Sequence, residues 1–413
     1  MGALFRDYFD GIKNFSRNVK LYLLALTLNS IGTGMFLVLY NLYLKELSYN
    51  EAFVGQTISL KSLAAVLILL PAGVFGDKLG RKKAMLTGAL FVAFSFGVLS
   101  FMENQTMILI FIFVNGLFNA FFMVAQSPFI KENTNPKERM HLFSINSALM
   151  VGSWMIGNLL GGSIPDLLNN WLPTLVSMKI TLLLSGLTIL LASVPLFKIK
   201  EVRTQNKRGF GDIVKILKEK DELKVILKFI FPSAMVGFGA GLFVPYTNLY
   251  LSNSFGLSSS SVGFIMAMSQ IMTALATLLS PLLVDIVGRV KGIFTFQLSS
   301  MPFLFIMAMT TNVYFASVAV LFRAALMNAA NPITANLMME TVGDEVKGIA
   351  NSLSQMAFQL GWAVMGPISG IIIAGYGYKY IFFLSMVFYL LSASSYYLFF
   401  RKLDSDNNIA AVS

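Results

Sequence analysis

The sequence has no cysteine and only one histidine, His141, among its 413 residues. Disulfide bonds, thiolate metal ligands and cysteine nucleophiles are therefore excluded. The sequence also shows no Ser-His-Asp set, no cluster of metal ligands and no phosphate-binding loop. We therefore predict that the protein is not an enzyme, with no catalytic residue, no bound metal ion and no cofactor.

Charged residues are scarce as well. They make up 12% of the chain, whereas soluble domains carry about 25%. Hydrophobic residues make up 56%, and the mean hydropathy is +0.71. The apolar residues occur in runs of about 20, the length of helix that crosses a hydrocarbon layer about 30 Å thick. The composition predicts an all-α membrane protein that spans the lipid bilayer many times.

The net charge of +11 does not indicate a nucleic-acid surface. The basic residues lie between the apolar runs, in alternate loops such as DKLGRKK, KENTNPKER and GRVK. An excess of Lys and Arg in alternate loops is typical of the cytoplasmic side of a membrane protein. We therefore predict that both termini are cytoplasmic and that the chain does not bind nucleic acid.

Breaks at charged and turn residues divide the chain into twelve predicted spans. They lie near residues 20–45, 52–76, 83–102, 106–130, 140–165, 174–197, 226–252, 260–284, 291–310, 313–337, 347–374 and 379–400. We predict four parts: an N-terminal six-helix bundle at 1–197, a cytoplasmic linker at 198–224, a C-terminal six-helix bundle at 225–402 and a disordered tail at 403–413.

The two halves contain the same pattern. GTGMFLVLYNLYL, which begins at Gly32, matches GAGLFVPYTNLYL, which begins at Gly239, so that Asn41 aligns with Asn248. With one inserted residue, GVFGDKLGRKK aligns with PLLVDIVGRVK, and a glycine row that begins at Gly152 aligns with one that begins at Gly361. Three matches at nearly one offset indicate a tandem duplication. Since each unit has six helices, an even number, both copies start on the same side and are parallel repeats.

The loop after the second span carries the pattern Gly-x-x-x-Asp-x-x-Gly-Arg-Lys, and a weaker copy follows the eighth span. This motif and its echo resemble the major facilitator superfamily, and the resemblance covers about the whole chain. It implies twelve transmembrane helices in two parallel-repeat six-helix bundles. It also implies alternating access, in which the halves rock about a site near the membrane midplane.

The motif residues are candidates for a cytoplasmic gate. The resemblance implies that they latch the two halves shut on the inside and release them when the inside opens. Asp77 can pair with Arg81 across the turn at Gly80, or approach the positive N-terminus of a neighbouring helix. The alternative is that these charges only fix the topology. The candidates are Gly73, Asp77, Gly80, Arg81, Lys82, Asp285, Gly288 and Arg289.

Two cations fall inside predicted spans, Lys61 in the second and Arg323 in the tenth, and no Asp or Glu lies well inside any span. An ionisable side chain in the hydrocarbon layer is costly, so it is a candidate functional residue. Both cations lie about ten residues from the outer end of their span, roughly 15 Å at 1.5 Å per residue. Lys61 could instead extend its ammonium group toward the headgroups.

Polar residues also follow single faces of several helices. The resemblance implies that helices one, four, seven and ten line the cavity, and all four carry such residues; helices five and eleven could close its sides. The alternative is hydrogen bonding between helices, which is common for Asn and Gln in membranes. With the two cations, the candidate cavity residues are Asn29, Lys61, Asn115, Asn119, Gln126, Trp154, Tyr246, Asn248, Arg323, Asn328, Asn331, Gln359 and Trp362.

The sequence therefore predicts a secondary transporter that moves a small organic solute across the plasma membrane, as a monomer. Two versions are open: export of amphipathic, drug-like compounds, or transport of an organic anion that binds Lys61 and Arg323. A non-transporting membrane receptor or scaffold is an alternative of another class. The coupling ion is left open, because the resemblance implies that proton-coupled antiporters often carry an arginine about where this chain has Asn115.

Overall fold

The computed structural model describes residues 15–201, 220–343 and 346–410, without the side chains at 70, 73–79, 136, 137, 140, 220, 221 and 403–410. These ranges are almost entirely helical and contain no β-strand. Twelve helices in them are long and apolar enough to cross a membrane. In lipid a helix satisfies its own backbone hydrogen bonds, which explains why the apolar runs fold in this way.

The first six helices are α1 (Arg17–Glu46), α2 (Glu51–Leu79), α3 (Arg81–Leu99), α4 (Gln105–Asn133), α5 (Pro136–Leu168) and α6 (Thr174–Lys198). The second six begin with α7, which runs over Lys220–Phe243, a 3-10 turn at Val244–Tyr246, and Thr247–Phe255. They continue with α8 (Ser259–Val287), α9 (Arg289–Ser299 and Met301–Met309), α10 (Val313–Thr341), α11 (Lys347–Tyr376) and α12 (Lys379–Ala410).

All twelve predicted spans are therefore confirmed as helices, with two internal breaks that the apolar runs did not reveal. In α7 the break contains Pro245, and in α9 it lies just before Pro302. Proline lacks the backbone N–H and crowds the preceding turn, so an α-helix is interrupted there. In α7 the break leaves the Pro245 carbonyl oxygen available to a side chain of the first half.

The predicted domain boundaries differ from the helix ends in two places. Helix α12 continues to Ala410, although residues 403–413 were predicted to be a disordered tail. The stretch RKLDSDNNIA contains neither Gly nor Pro, so nothing in it stops a helix from continuing beyond the apolar run. Helix α7 starts at Lys220, inside the predicted linker, while residues 202–219 and 411–413 lie outside the described residues.

Equivalent helices pack in the same way in both halves. In the first half α1 packs against α5 and α6, and in the second half α7 packs against α11 and α12. The pairs α2–α4 and α3–α4 likewise correspond to α8–α10 and α9–α10. The two halves meet through α2 against α11 and through α5 against α8. The structure thus has the duplicated architecture that the sequence repeat predicts.

The outer surface of the helices is apolar. On α8, for example, Leu278, Leu282 and Ile286 follow each other at intervals of four residues and are 75%, 61% and 80% exposed. A row of large exposed hydrophobic side chains is unfavourable in water and marks a surface that contacts lipid. We call the end of the molecule at the α6–α7 connection the linker end, and the opposite end the far end.

Candidate functional site

At the far end, two asparagines join α1 to α7. The Asn41 amide Nδ2 donates to the Pro245 carbonyl oxygen at 2.6 Å, and the Asn248 amide Nδ2 donates to the Val38 carbonyl oxygen at 2.8 Å. Asn41 and Asn248 are the residues that the repeat aligns, and Val38 and Pro245 are related by the same offset. Each half therefore binds the other through the same atoms. This is expected for two repeats that are related by an approximate two-fold axis parallel to the helices.

Glycines allow the helices of the two halves to touch along two seams. A methyl group at Gly55 of α2 would lie 2.7 Å from the Tyr246 hydroxyl oxygen and 2.9 Å from the Pro367 Cα of α11. A methyl group at Gly263 of α8 would lie 3.0 Å from the Gly162 Cα of α5. Small residues that permit close backbone approach are a typical basis of helix association in membranes. These contacts close the far end.

Polar contacts add to the closure. The Ser260 N–H, in the first turn of α8, donates to the Asp166 carboxylate oxygen of α5 at 2.8 Å. The Asn253 amide donates to a Glu51 carboxylate oxygen and to the Tyr378 hydroxyl, both at 3.1 Å. Burial and, to a smaller degree, the Glu51 carboxylate raise the pKa of the Tyr378 hydroxyl, which keeps it neutral. A carboxylate of the first half thus meets a donor of the second half on two sides of the molecule.

At the linker end, the motif residues make contacts inside each half. The Arg81 Nε atom donates to a Glu132 carboxylate oxygen of α4 at 3.1 Å. Arg289 contacts the Glu340 carboxylate of α10 through a terminal guanidinium nitrogen, Nη1. The repeat relates both arginines and both glutamates by one offset. The structure thus gives each motif arginine a carboxylate partner that the sequence reasoning had not assigned. The signal that could have found these partners is that Glu132 and Glu340 occupy equivalent positions of the two repeats.

The other gate candidates lie at helix ends. Gly80 and Gly288 precede α3 and α9 with φ values of +96° and +89°, a backbone conformation that favours glycine. Lys82 donates from its Nζ atom to the Phe197 carbonyl oxygen at 2.8 Å. Asp285 is exposed.

Gly73 and Asp77 belong to the last turns of α2, and the Asp77 side chain lies outside the described part of the chain. The predicted Asp77–Arg81 pair therefore stays a prediction.

Both membrane cations lie over aromatic rings of their own half. The Lys61 Nζ atom is 5.7 Å from the centroid of the Phe36 ring, and the Arg323 Cζ atom is 4.4 Å from that of the Phe243 ring. The two phenylalanines are related by the repeat, so equivalent rings receive cations from different helices. Arg323 also lies 3.5 Å from the Tyr389 hydroxyl. In the described residues no carboxylate contacts either cation.

Arg323 is 7% exposed, so it does not point at lipid. Its contacts with α7 and α12 place it inside the second half, and no contact joins it to Lys61 in the described structure. A cation–π contact is worth about 2 kcal/mol when desolvated, whereas burial of an unpaired cation costs several kcal/mol. The position of Arg323 therefore requires a reason beyond packing.

The three polar residues on one face of α4 have different surroundings. Asn115 is 1% exposed, and its Nδ2 atom has no hydrogen-bond partner among the described residues. The Gln126 side-chain oxygen lies 3.4 Å from the Tyr22 hydroxyl, which itself donates to Asn146 at 2.6 Å. Gln126 is therefore part of a hydrogen-bonded group inside the first half. Asn119 lies 3.9 Å from the Met123 sulfur atom, and Met123 is 47% exposed.

The remaining cavity candidates are spread over several sites. Asn248 and Tyr246 belong to the far-end contacts, where the Tyr246 hydroxyl donates to the Gly366 carbonyl oxygen at 2.6 Å. Asn328 and Asn331 contact each other at 3.1 Å on α10. No hydrogen bond or ring contact joins the other four to one another in the described structure. They are the buried Asn29 and the partly exposed Trp154, Gln359 and Trp362.

This duplicated helical architecture is typical of one family. The sequence profile of the Major Facilitator Superfamily matches residues 22–250 and 229–411, which together span most of the chain. The chain therefore belongs to the major facilitator superfamily. It is a multi-pass membrane protein of the transporter class and not an enzyme.

Individual relatives match this chain in sequence along nearly their whole length. The chain is 23% identical over 394 residues to the uncharacterized MFS-type transporter YxaM of Bacillus subtilis, which covers 92% of this chain and 96% of the relative. It is also 23% identical over 385 residues to the multidrug resistance protein MdtG of Proteus mirabilis, with 90% and 92% covered.

A solved structure has the same fold. A bacterial homologue of the human lysosomal transporter Spinster, in an inward-facing and unoccupied conformation, superposes with a TM-score of 0.75. The two chains are 15% identical, and the match covers 92% of this chain and 95% of that one.

Proposed function

We propose that this protein is a secondary transporter that exports small amphipathic, drug-like compounds across the plasma membrane by alternating access. The proposal includes the cytoplasmic location of the Lys/Arg-rich linker end and of both termini, and action as a monomer. It leaves the coupling ion open, since Asn115 takes the place of a charged residue in the fourth helix.

The observation that carries alternating access is the arrangement of the contacts between the halves. The Asn41 and Asn248 hydrogen bonds, both glycine seams and the Asp166–Ser260 contact all lie at the far end. At the linker end, the motif arginines pair within their own halves. A molecule closed at one end, with each half held together separately at the other, suits a rocking motion of two rigid bundles. With the proposed topology, this conformation faces the cytoplasm.

Two observations support an amphipathic substrate. The relative MdtG is named as a multidrug resistance protein. On α4, the half-exposed Met123 lies beside the Asn119 amide, so a flexible thioether and one polar group share a helix face. Flexible, polarizable methionine side chains adapt to apolar ligands of different shape. A thioether beside an amide therefore suits a range of amphipathic compounds better than it suits one rigid polar solute.

Two ions of nearly equal size and opposite charge test the substrate class: tetraphenylphosphonium and tetraphenylborate. We expect tetraphenylphosphonium to raise the melting temperature of the detergent-purified protein, and to do so equally in Lys61→Met and Arg323→Met. Counterflow of the labelled cation in proteoliposomes should then exceed that of empty liposomes. Binding without counterflow of either ion, or of a panel of drug-like compounds, would contradict transport and favour a receptor.

The second candidate is transport of an organic anion. It is favoured by one observation, that Lys61 and Arg323 lie in the membrane interior without a carboxylate partner in the described residues. Here tetraphenylborate should stabilise the wild type, and the effect should disappear in Lys61→Met or Arg323→Met. Lys61→Arg and Arg323→Lys, which keep the charge, are the matched controls. Equal stabilisation of the wild type and both methionine variants by the anion would exclude this candidate.

A further inference from the structure

The two asparagines at the far end form a reciprocal pair. Asn41 of α1 donates into the main chain of α7, and Asn248 of α7 donates into the main chain of α1. The acceptors, Pro245 and Val38, stand three residues before the donors in each helix. The Asn41 amide also lies 3.3 Å from the Asn248 side-chain oxygen, so the two amides contact each other.

The acceptors are available for different reasons. Pro245 lies in the 3-10 turn that interrupts α7, where the backbone does not follow a regular helix. The Leu249 N–H, four residues further on, donates to the Asn248 side-chain oxygen at 2.9 Å. Val38 lies inside the continuous helix α1, but its carbonyl oxygen has a second lone pair that a side chain can use. The pair therefore needs no special residue as an acceptor.

Burial makes these bonds costly to break. Asn248 is 3% exposed, and Val38 and Tyr246 beside it are 1% and 0% exposed. A buried amide that loses its partner without gaining water is destabilised by the full cost of desolvation. Asn41 is partly exposed, so this cost falls mainly on the Asn248 bond, which breaks at low cost only if the helices separate enough for water to reach its amide.

We propose that Asn41 and Asn248 are the far-end gate of the transport cycle, a two-part lock in which each half holds the main chain of the other. The proposal deepens the proposed function, since it assumes that the two halves separate at the far end during transport. The lock opens as a unit, because separation of α1 from α7 breaks both bonds together. Water then hydrates both amides, and the bonds re-form when the halves return.

Each bond should contribute about a factor of five to the ratio of closed to open molecules, as expected for a net contribution of about 1 kcal/mol. Removal of one amide should therefore raise the open population several-fold. Removal of both should raise it further, though by less than the product of the two effects, because the amides are in contact.

Spin labels measure this population without a substrate. The sequence has no cysteine, so labels can be placed at Glu46→Cys and Ser254→Cys, two exposed positions at the far end of different halves. We expect the wild type to show mainly a short distance by double electron–electron resonance. Asn41→Ala and Asn248→Ala should each add a longer distance, and the double variant should add most.

Tyr43→Phe is the matched control. The Tyr43 hydroxyl donates to the Ser100 carbonyl oxygen at 3.2 Å, at the same end of the molecule but within the first half. Its loss should lower the melting temperature without changing the distances. If an alanine variant does not fold, Asn41→Ser repeats the test, because its shorter side chain does not reach α7. Distances that stay unchanged in all asparagine variants, or that change equally in Tyr43→Phe, would overturn the gate.

The outcome is independent of the substrate proposal. A longer distance in the asparagine variants, together with no transport of any tested compound, would leave the gate standing and remove the substrate class. Transport of a compound by variants whose far-end distances match the wild type would do the reverse.

Discussion

The Arg81 Nε atom lies 3.1 Å from the Glu132 carboxylate, and the repeat-related Arg289 contacts Glu340 in the other half. Each pair ties the start of one helix to the end of the next, α3 to α4 and α9 to α10. The motif arginines therefore hold each bundle together at the linker end. The two pairs occupy equivalent positions of the repeat but differ in exposure, which makes them a natural comparison.

We predict that Glu132→Gln destabilises the protein more than Glu340→Gln does. The Arg81 and Glu132 side chains are 12% and 14% exposed, whereas those of Arg289 and Glu340 are 37% and 56% exposed. Loss of the partly buried carboxylate should cost about 1–3 kcal/mol, and loss of the exposed one less than about 1 kcal/mol. Melting temperatures in one detergent measure the difference, and equal decreases for both variants would contradict it.

Gly55→Ala should open the far end. Its added methyl group would lie within 3 Å of the Tyr246 hydroxyl oxygen and the Pro367 Cα, and the main chain of α11 cannot move aside as a flexible side chain can. The helices α2 and α11 must then separate. We expect a longer distance between spin labels at positions 46 and 254, as in the asparagine variants.

The control for this prediction is Gly152→Ala on α5. No described heavy atom lies within 4 Å of a methyl group placed there. Since alanine favours helix more than glycine by about 1 kcal/mol, this variant should keep or raise the melting temperature. An equal change in the label distance in both variants would mean that the seam does not limit the conformation.

Asp166→Ala should also favour the open far end, and Asp166→Asn should do so less. The carboxylate accepts the Ser260 N–H at 2.8 Å in the first turn of α8, where a negative charge is favourable. Asparagine keeps an oxygen acceptor but loses the charge, and alanine loses both. Labels at the exposed positions Asn170 and Ser254 report the separation. A larger effect of Asn than of Ala would show that the hydrogen bond is not what matters.

Much of the fold could be predicted because it depends on local composition. The lengths of the apolar runs gave twelve spans, and the duplicated Gly-x-Gly and Asn-Leu-Tyr-Leu patterns gave two equivalent halves. The breaks at Pro245 and before Pro302 were not predicted, since a hydrophobic run does not show where a helix inside it bends. The family motif gave the loop, but not the partners Glu132 and Glu340.

The candidate site was harder to predict. Asn248 and Tyr246 are predicted to line the cavity, and in the structure both make contacts between the two halves at the far end. Their role in the cavity stays a prediction. Asn41 belongs to the sequence repeat but not to the predicted site residues, although it makes the reciprocal contact. A polar side chain in a membrane helix can face a cavity, a neighbouring helix or the other half, and helical periodicity does not distinguish these cases.

The sequence alone thus determined the class, the number of helices and their pairing by duplication, because hydrophobic length and repeat spacing are properties of the chain itself. Tertiary structure decided which polar groups meet, and at which end the halves close. Those contacts join residues about 200 positions apart through main-chain carbonyls, which every residue carries and no sequence pattern can mark. The Asn41–Pro245 and Asn248–Val38 hydrogen bonds depend on the packing of α1 against a broken α7, and only the folded molecule sets that packing.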